Sequence, residues 1–139
     1  MKEIEDKQKI LIKYRIEQAK SAIKETKLLF DNEMYNAAVN RVYYGMFYVV
    51  SALALKYKFL TSKHGQLIGW FNKNFVKEKK DDIKYGKMLR DAFEYRLKGD
   101  YAKFIKFTKE EVLQGLNNMK IFINKIEEII LKPKLNDYV

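Results

Sequence analysis

The sequence predicts an all-α fold: an up-and-down helical bundle of about five antiparallel helices. Three observations predict it. Apolar residues recur at the 3.6-residue helical period in nearly every segment. The connections between these segments are short, which favours antiparallel neighbours. One Pro and six Gly in 139 residues are too few for the tight turns of a β-sandwich.

The elements follow in order. Ile12, Ile16, Ala19, Ile23 and Phe30 fall on one face of a first helix. Asp31-Asn32 supplies a break and a cap for a second helix over roughly 33–57. After a short connection at 58–61, Ser62 can cap a third helix over about 63–78, with His64, Ile68, Phe71 and Phe75 on one stripe. Asp81 can cap a fourth helix over about 82–98, closed by Gly99. Thr108 with Glu111 is a capping-box pattern opening a fifth helix. There Val112, Leu116, Met119, Ile123, Ile126 and Ile130 share a face, and Pro133 lies just past the end. No repeat, low-complexity tract or internal boundary is evident, so residues 1–139 read as one domain with 132–139 expected to fray.

Composition excludes several classes. With no Cys and one His, the chain can assemble neither a structural zinc site nor a disulfide framework, and it has no Cys nucleophile. No metal site and no cofactor are expected. The charged start MKEIEDKQK lacks the apolar stretch of a signal peptide. The longest apolar run, Val42 to Leu55, is about 14 residues, short of the ~20 that span a membrane. A cytoplasmic protein without membrane contact is therefore expected. The formal charge is +10, yet each half of the chain carries +5, and 24 of the 28 basic residues are Lys. Such an even Lys spread is ordinarily a solvated surface; its other use is attraction of a polyanion such as RNA.

Chemistry concentrates on the second helix. At about 100° per residue, Val39, Val42, Met46, Val49, Val50 and Leu53 form an apolar face. Asn40, Arg41, Tyr44, Tyr48 and Ser51 form a polar stripe on the far side. Arg offers a planar fork for carboxylate or phosphate, and Tyr a ring with a hydroxyl. The stripe suits either a packing or dimer seam or a phosphate- or nucleotide-binding groove. Arg96 ends the apolar stripe Tyr85, Leu89, Ala92, with Gly99-Asp100-Tyr101 following. A charge there needs a partner, and Asp100 could serve either Arg96 or Arg41. His64, the only side chain that titrates near neutrality unperturbed, reads either as a structural hydrogen-bonded residue or as an acid/base. In the second role it would need a neighbour such as Arg41 or Tyr48.

The string from Tyr35-Asn36-Ala37-Ala38 through Val39-Asn40-Arg41-Val42-Tyr43-Tyr44 to Gly45-Met46-Phe47-Tyr48 resembles the second-helix signature of HEPN-domain proteins. More narrowly, it resembles the branch with an N-R-x-Y-Y-x-x-F-H pattern. Lys63-His64-Gly65 resembles that branch's K-H pair, and Arg96 to Tyr101 its R-x-x-x-D-Y turn. The resemblance covers about residues 8–131 and implies a dimeric helical bundle. It also implies a possible MNT-type nucleotidyltransferase partner in a toxin–antitoxin pair. Active members of the family are metal-independent ribonucleases whose motif is Arg, four to six residues, then His. Here Arg41 matches the motif Arg, but the permitted His positions hold Met46, Phe47 and Tyr48, with Tyr48 where this branch carries His. A Tyr with an ordinary pKa near 10 is a poor general base at pH 7. It can still bond a phosphate or stack on a base.

The leading expectation is a catalytically weakened HEPN-like homodimer binding RNA, a nucleotide or a nucleotidyltransferase. Arg41 and Tyr48 stand at its catalytic positions; Asn40, Tyr44, Ser51, His64, Arg96, Asp100 and Tyr101 line its groove. The alternatives are an active ribonuclease using Tyr48 or His64, and a structural dimeric adaptor.

Overall fold

The structure, a computed structural model, describes residues 2–76, 82–101 and 105–132; side chains are described from Glu5 onward and not for Tyr101. It is an all-α helical bundle: α1 (Lys2–Asp31), α2 (Tyr35–Lys56), α3 (His64–Phe71), α4 (Ile83–Tyr101) and α5 (Lys109–Leu131). A π-helical turn, Asn72–Val76, extends α3.

The apolar stripes dictate the packing. α2 lies centrally against all four other helices, and α1 packs along its length. The side-chain amide of Gln8, near the start of α1, donates to the carbonyl of Leu55, near the end of α2, so the two run antiparallel. Lys56 at the end of α2 donates to the carbonyls of Ile129 and Ile130 at the end of α5, so α2 and α5 run in the same direction. The long helices α1, α2, α4 and α5 thus alternate up and down, and α3 belongs to the link between α2 and α4. The core is built from Ala19 and Ala22 of α1, Tyr43, Met46, Val49 and Leu53 of α2, Phe71, Leu89, and Leu116 to Ile126 of α5. Small residues allow the close approach at its centre. A Cβ at Gly45 would stand 3.2 Å from that of Ala22 and collide with the Met119 methyl.

Both α1 and α2 end in the same motif. Met34 N–H bonds the Leu29 carbonyl and Glu33 N–H bonds Phe30, while Glu33 adopts a φ of 60°. Phe59 N–H bonds Ala54 and Lys58 N–H bonds Leu55, with Lys58 at a φ of 61°. These are Schellman-type endings with a charged residue at the left-handed position usually held by Gly.

Several expected boundaries are corrected. Asp31-Asn32 does not cap α2: Asp31 ends α1 and pairs with Lys27, and Asn32 donates back to the Leu28 carbonyl. The residue preceding α2 is Met34, which makes no side-chain cap bond. Ser62 does not cap α3; Lys63 precedes it, and the Lys63 N–H bonds Thr61 Oγ1. The third helix does not continue as α-helix beyond Phe71. The Asn74 side chain takes the Trp70 carbonyl at 2.8 Å, the acceptor that its own backbone N–H would use in an α-helix. Gly99 does not close α4, which runs on to Tyr101 while the Phe107 ring packs against the space left by the missing Cβ. The Thr108–Glu111 capping box is present with both of its bonds, at 2.9 and 3.1 Å. The expected Asp81 cap, Pro133 and the 133–139 tail lie outside the described residues. No helix among the described residues is long and apolar enough to cross a membrane.

Candidate functional site

The five polar-stripe residues of α2 are all half-buried, between its solvent-facing and core positions. Arg41 donates from Nη2 and Nε to Asn40 Oδ1 at 3.0 and 3.3 Å. Its guanidinium also lies 5.0 Å from the centre of the Tyr44 ring, one turn along. Glu25 of α1 approaches Arg41 only to 3.9 Å and is itself half exposed.

The fourth helix brings a second guanidinium to the same ring. Arg96 lies 5.3 Å from the Tyr44 centroid and 5.6 Å from that of Tyr43. Its Nε donates to Asp100 Oδ2 at 3.1 Å, which assigns Asp100 to Arg96 and leaves Glu25 to Arg41. Tyr44 therefore carries an arginine from each of two helices. Tyr48, the next turn on, lies 6.1 Å from Tyr44. Together with Arg41 it lines a shallow cleft of about 340 Å³ against Tyr14, Gln18 and Glu25 of α1.

His64 joins this cluster from the start of α3. Its Nδ1 and the Tyr43 hydroxyl are 2.6 Å apart, and its ring stacks on Phe47 at 4.5 Å. Tyr44 meets it edge-on at 5.9 Å. Burial, followed by the Arg96 charge, lowers the His64 pKa below its ordinary value, so the imidazole is neutral at pH 7. Burial pushes the Tyr43 hydroxyl well above the ordinary range, so it stays protonated; Arg96 opposes that shift in part. The result is a neutral, oriented imidazole beside a fixed cation.

The structure thus groups Arg41, Tyr44, Arg96, Asp100 and His64, with Asn40 bonded to Arg41 and Tyr48 beside it. Ser51 faces a neighbouring groove that also reaches His64. Tyr101 ends α4, and its side chain lies outside the described residues. The groups brought to His64 are Tyr43, Tyr44, Phe47 and the Arg96 charge, in place of the expected Arg41 or Tyr48. Sequence reasoning missed Tyr43, Phe47 and Glu25. Tyr43 and Phe47 are four residues apart on one helix, so their common face was readable; Glu25 gave no such signal. Among the described residues no three His, Cys, Asp or Glu side chains are placed to hold a metal ion.

The family model for the HEPN domain matches residues 12–129, a span that includes every residue of this cluster. The chain belongs to the HEPN family. Among its relatives, a UPF0332 protein of Thermotoga maritima is 38% identical over 125 residues, 90% of this chain and 94% of that protein. A Methanocaldococcus jannaschii protein named "Putative toxin MJ0142" is 32% identical over 120 residues, 86% of this chain and 82% of its own. Another from the same organism, named "Putative toxin MJ0605", is 31% identical over 115 residues, covering 83% and 85%.

Proposed function

We propose that this HEPN protein binds single-stranded RNA through the Arg41–Tyr44–Arg96 face, as the toxin-like member of a pair with a nucleotidyltransferase. The observation that carries the reading is one tyrosine ring with a guanidinium on it from each of two helices, at 5.0 and 5.3 Å. Guanidinium forks match phosphate oxygens, and the Tyr48 ring beside Arg41 in the cleft offers a face for a base. Glu25 competes weakly for Arg41: at 3.9 Å and half exposed, such a pair contributes about 0–1 kcal/mol, and a phosphate can displace it. The toxin names of two relatives support the biological setting. Two copies would face one another across the α1–α2 side, where Ile10 and Tyr14 are exposed apolar groups.

Cleavage is weakened in this reading because Tyr48 holds the position of the motif His. One observation favours residual activity: the lowered pKa of His64 favours the neutral imidazole that a general base requires, and Tyr43 orients its ring.

Fluorescence anisotropy with a labelled single-stranded RNA tests the proposal. Arg41→Ala and Arg96→Ala are each expected to weaken binding about tenfold or more, as loss of a charge-assisted contact worth ~1.5–3 kcal/mol requires. Unchanged affinity in both variants, with folding verified by circular dichroism, would overturn it. Adding Tyr48→His to the wild-type protein is expected to raise RNA cleavage; no gain would show that the position of Tyr48 alone does not limit the chemistry.

A further inference from the structure

A second groove, of about 620 Å³, lies between the start of α1, the second half of α2 and the segment leading into α3. Its volume falls in the ~300–1,000 Å³ range of small-molecule sites. Arg15, Lys63 and His64 line it together with Ser51 and the rings of Phe47 and Phe59. Among the described residues, the lining contains no Asp or Glu. This sets it apart from the neighbouring cleft, where Glu25 stands beside Arg41, and from the small cavity between α2, α4 and α5, which holds Asp91 and Glu111. Arg15 donates to the neutral Gln18 amide at 2.8 Å, so its positive charge is not offset by that bond. Lys63 is exposed. The turn after α2 is fixed by the left-handed Lys58, which brings Phe59 into the lining and lays it flat on Trp70, with centroids 5.5 Å apart and planes within 7°. His64 and Phe47 belong to this groove and also to the Tyr43–Tyr44 cluster, so the two sites share a wall.

We propose that this groove holds the next nucleotide of a bound RNA strand, with the phosphate on Arg15 and Lys63 and the base against Phe59. The proposal rests on the RNA-binding reading and extends it to a track running from Arg41 past His64 to Phe59. Cationic side chains without neighbouring acids attract a phosphate. Hydroxyls such as Ser51 can bond sugar or phosphate, and base–aromatic stacking is tolerant of sequence.

Trp70 is the only tryptophan of the chain and stacks directly on Phe59, so its emission reports on this groove. The wild-type protein is titrated with a dinucleotide and with a longer single-stranded RNA, reading label anisotropy and Trp70 fluorescence together. The longer RNA is expected to change Trp70 emission; the dinucleotide is expected to bind more weakly and change it little. Lys63→Ala and Phe59→Leu, the latter retaining apolar bulk, are expected to weaken binding of the longer RNA about fivefold or more and to abolish the Trp70 response. If anisotropy saturates while Trp70 emission stays constant and both variants bind normally, the groove proposal fails; Arg41→Ala still weakening binding would then leave the first reading intact and the groove to a protein partner. If the wild type binds neither RNA, both readings fail together.

Discussion

Arg96 lies between a carboxylate and two tyrosine rings, at the point where the apolar stripe of α4 ends. Its charge is also felt by His64, whose pKa is lowered first by burial and then by Arg96. Burial disfavours the imidazolium, and a nearby cation disfavours it further. The unfolded chain binds the proton more readily than the folded one, so the His64 contribution is present above the ordinary value of about 6.5 and is lost as pH falls below it. Because the chain has a single His, its ring resonances in a proton NMR titration are unambiguous. The wild-type midpoint is expected below about 6.5, and Arg96→Gln is expected to move it upward. A midpoint at or above 6.5 in the wild type would contradict the environment described here. At this scale the sequence was most informative where residues share one helix. Arg41, Tyr44 and Tyr48 could be placed together from helical geometry alone. Asp100 was a readable partner for Arg96 because the two lie four residues apart. The bond from Tyr43 to His64 crosses 21 residues of chain and depends on how α3 docks, which local patterning does not encode.

Helix ends show which local signals decide structure. The Thr108–Glu111 box was legible because both partners lie within one turn, and two reciprocal bonds satisfy otherwise unpaired N–H groups. Asp31, Asn32 and Ser62 looked equally suitable as caps, yet each is outcompeted. α1 and α2 terminate through backbone bonds of the Schellman type, and these set where the next segment begins. A search for Gly at such endings finds none, because Glu33 and Lys58 occupy the left-handed positions. An L-residue there carries a steric cost that Gly lacks, partly offset by the greater freedom of Gly in the unfolded chain. Glu33→Gly and Lys58→Gly are each expected to raise unfolding stability by about 0.5–1 kcal/mol in urea titrations. A loss of stability in either would show that its side chain contributes more than its strained backbone costs. Lys58→Gly also bears on function, since that turn positions Phe59 against Trp70.

For the molecule as a whole, the alternation of four long helices follows from stripes that were readable throughout, α5 most plainly, with Val112, Leu116, Met119, Ile123, Ile126 and Ile130 all buried. The charge is a different matter. A net +10 distributed evenly along the chain attracts any polyanion, and such diffuse attraction alone would make no residue special. The grouping of two of the four arginines around Tyr44 separates a defined site from that background. Salt dependence distinguishes the two. For single-stranded nucleic acid, log K falls with log salt at a slope of about −0.7 per phosphate neutralised. If Arg41 and Arg96 each hold a phosphate, Arg41→Ala and Arg96→Ala should each reduce the magnitude of that slope by about 0.7. Lys20→Ala removes an equal charge from the far side of α1, where it pairs with Glu127 at 2.7 Å, and should leave the slope unchanged. Equal reductions in all three variants would mean that RNA is held by the general field of the protein, and the arginine-flanked tyrosine would lose its claim to be the binding site.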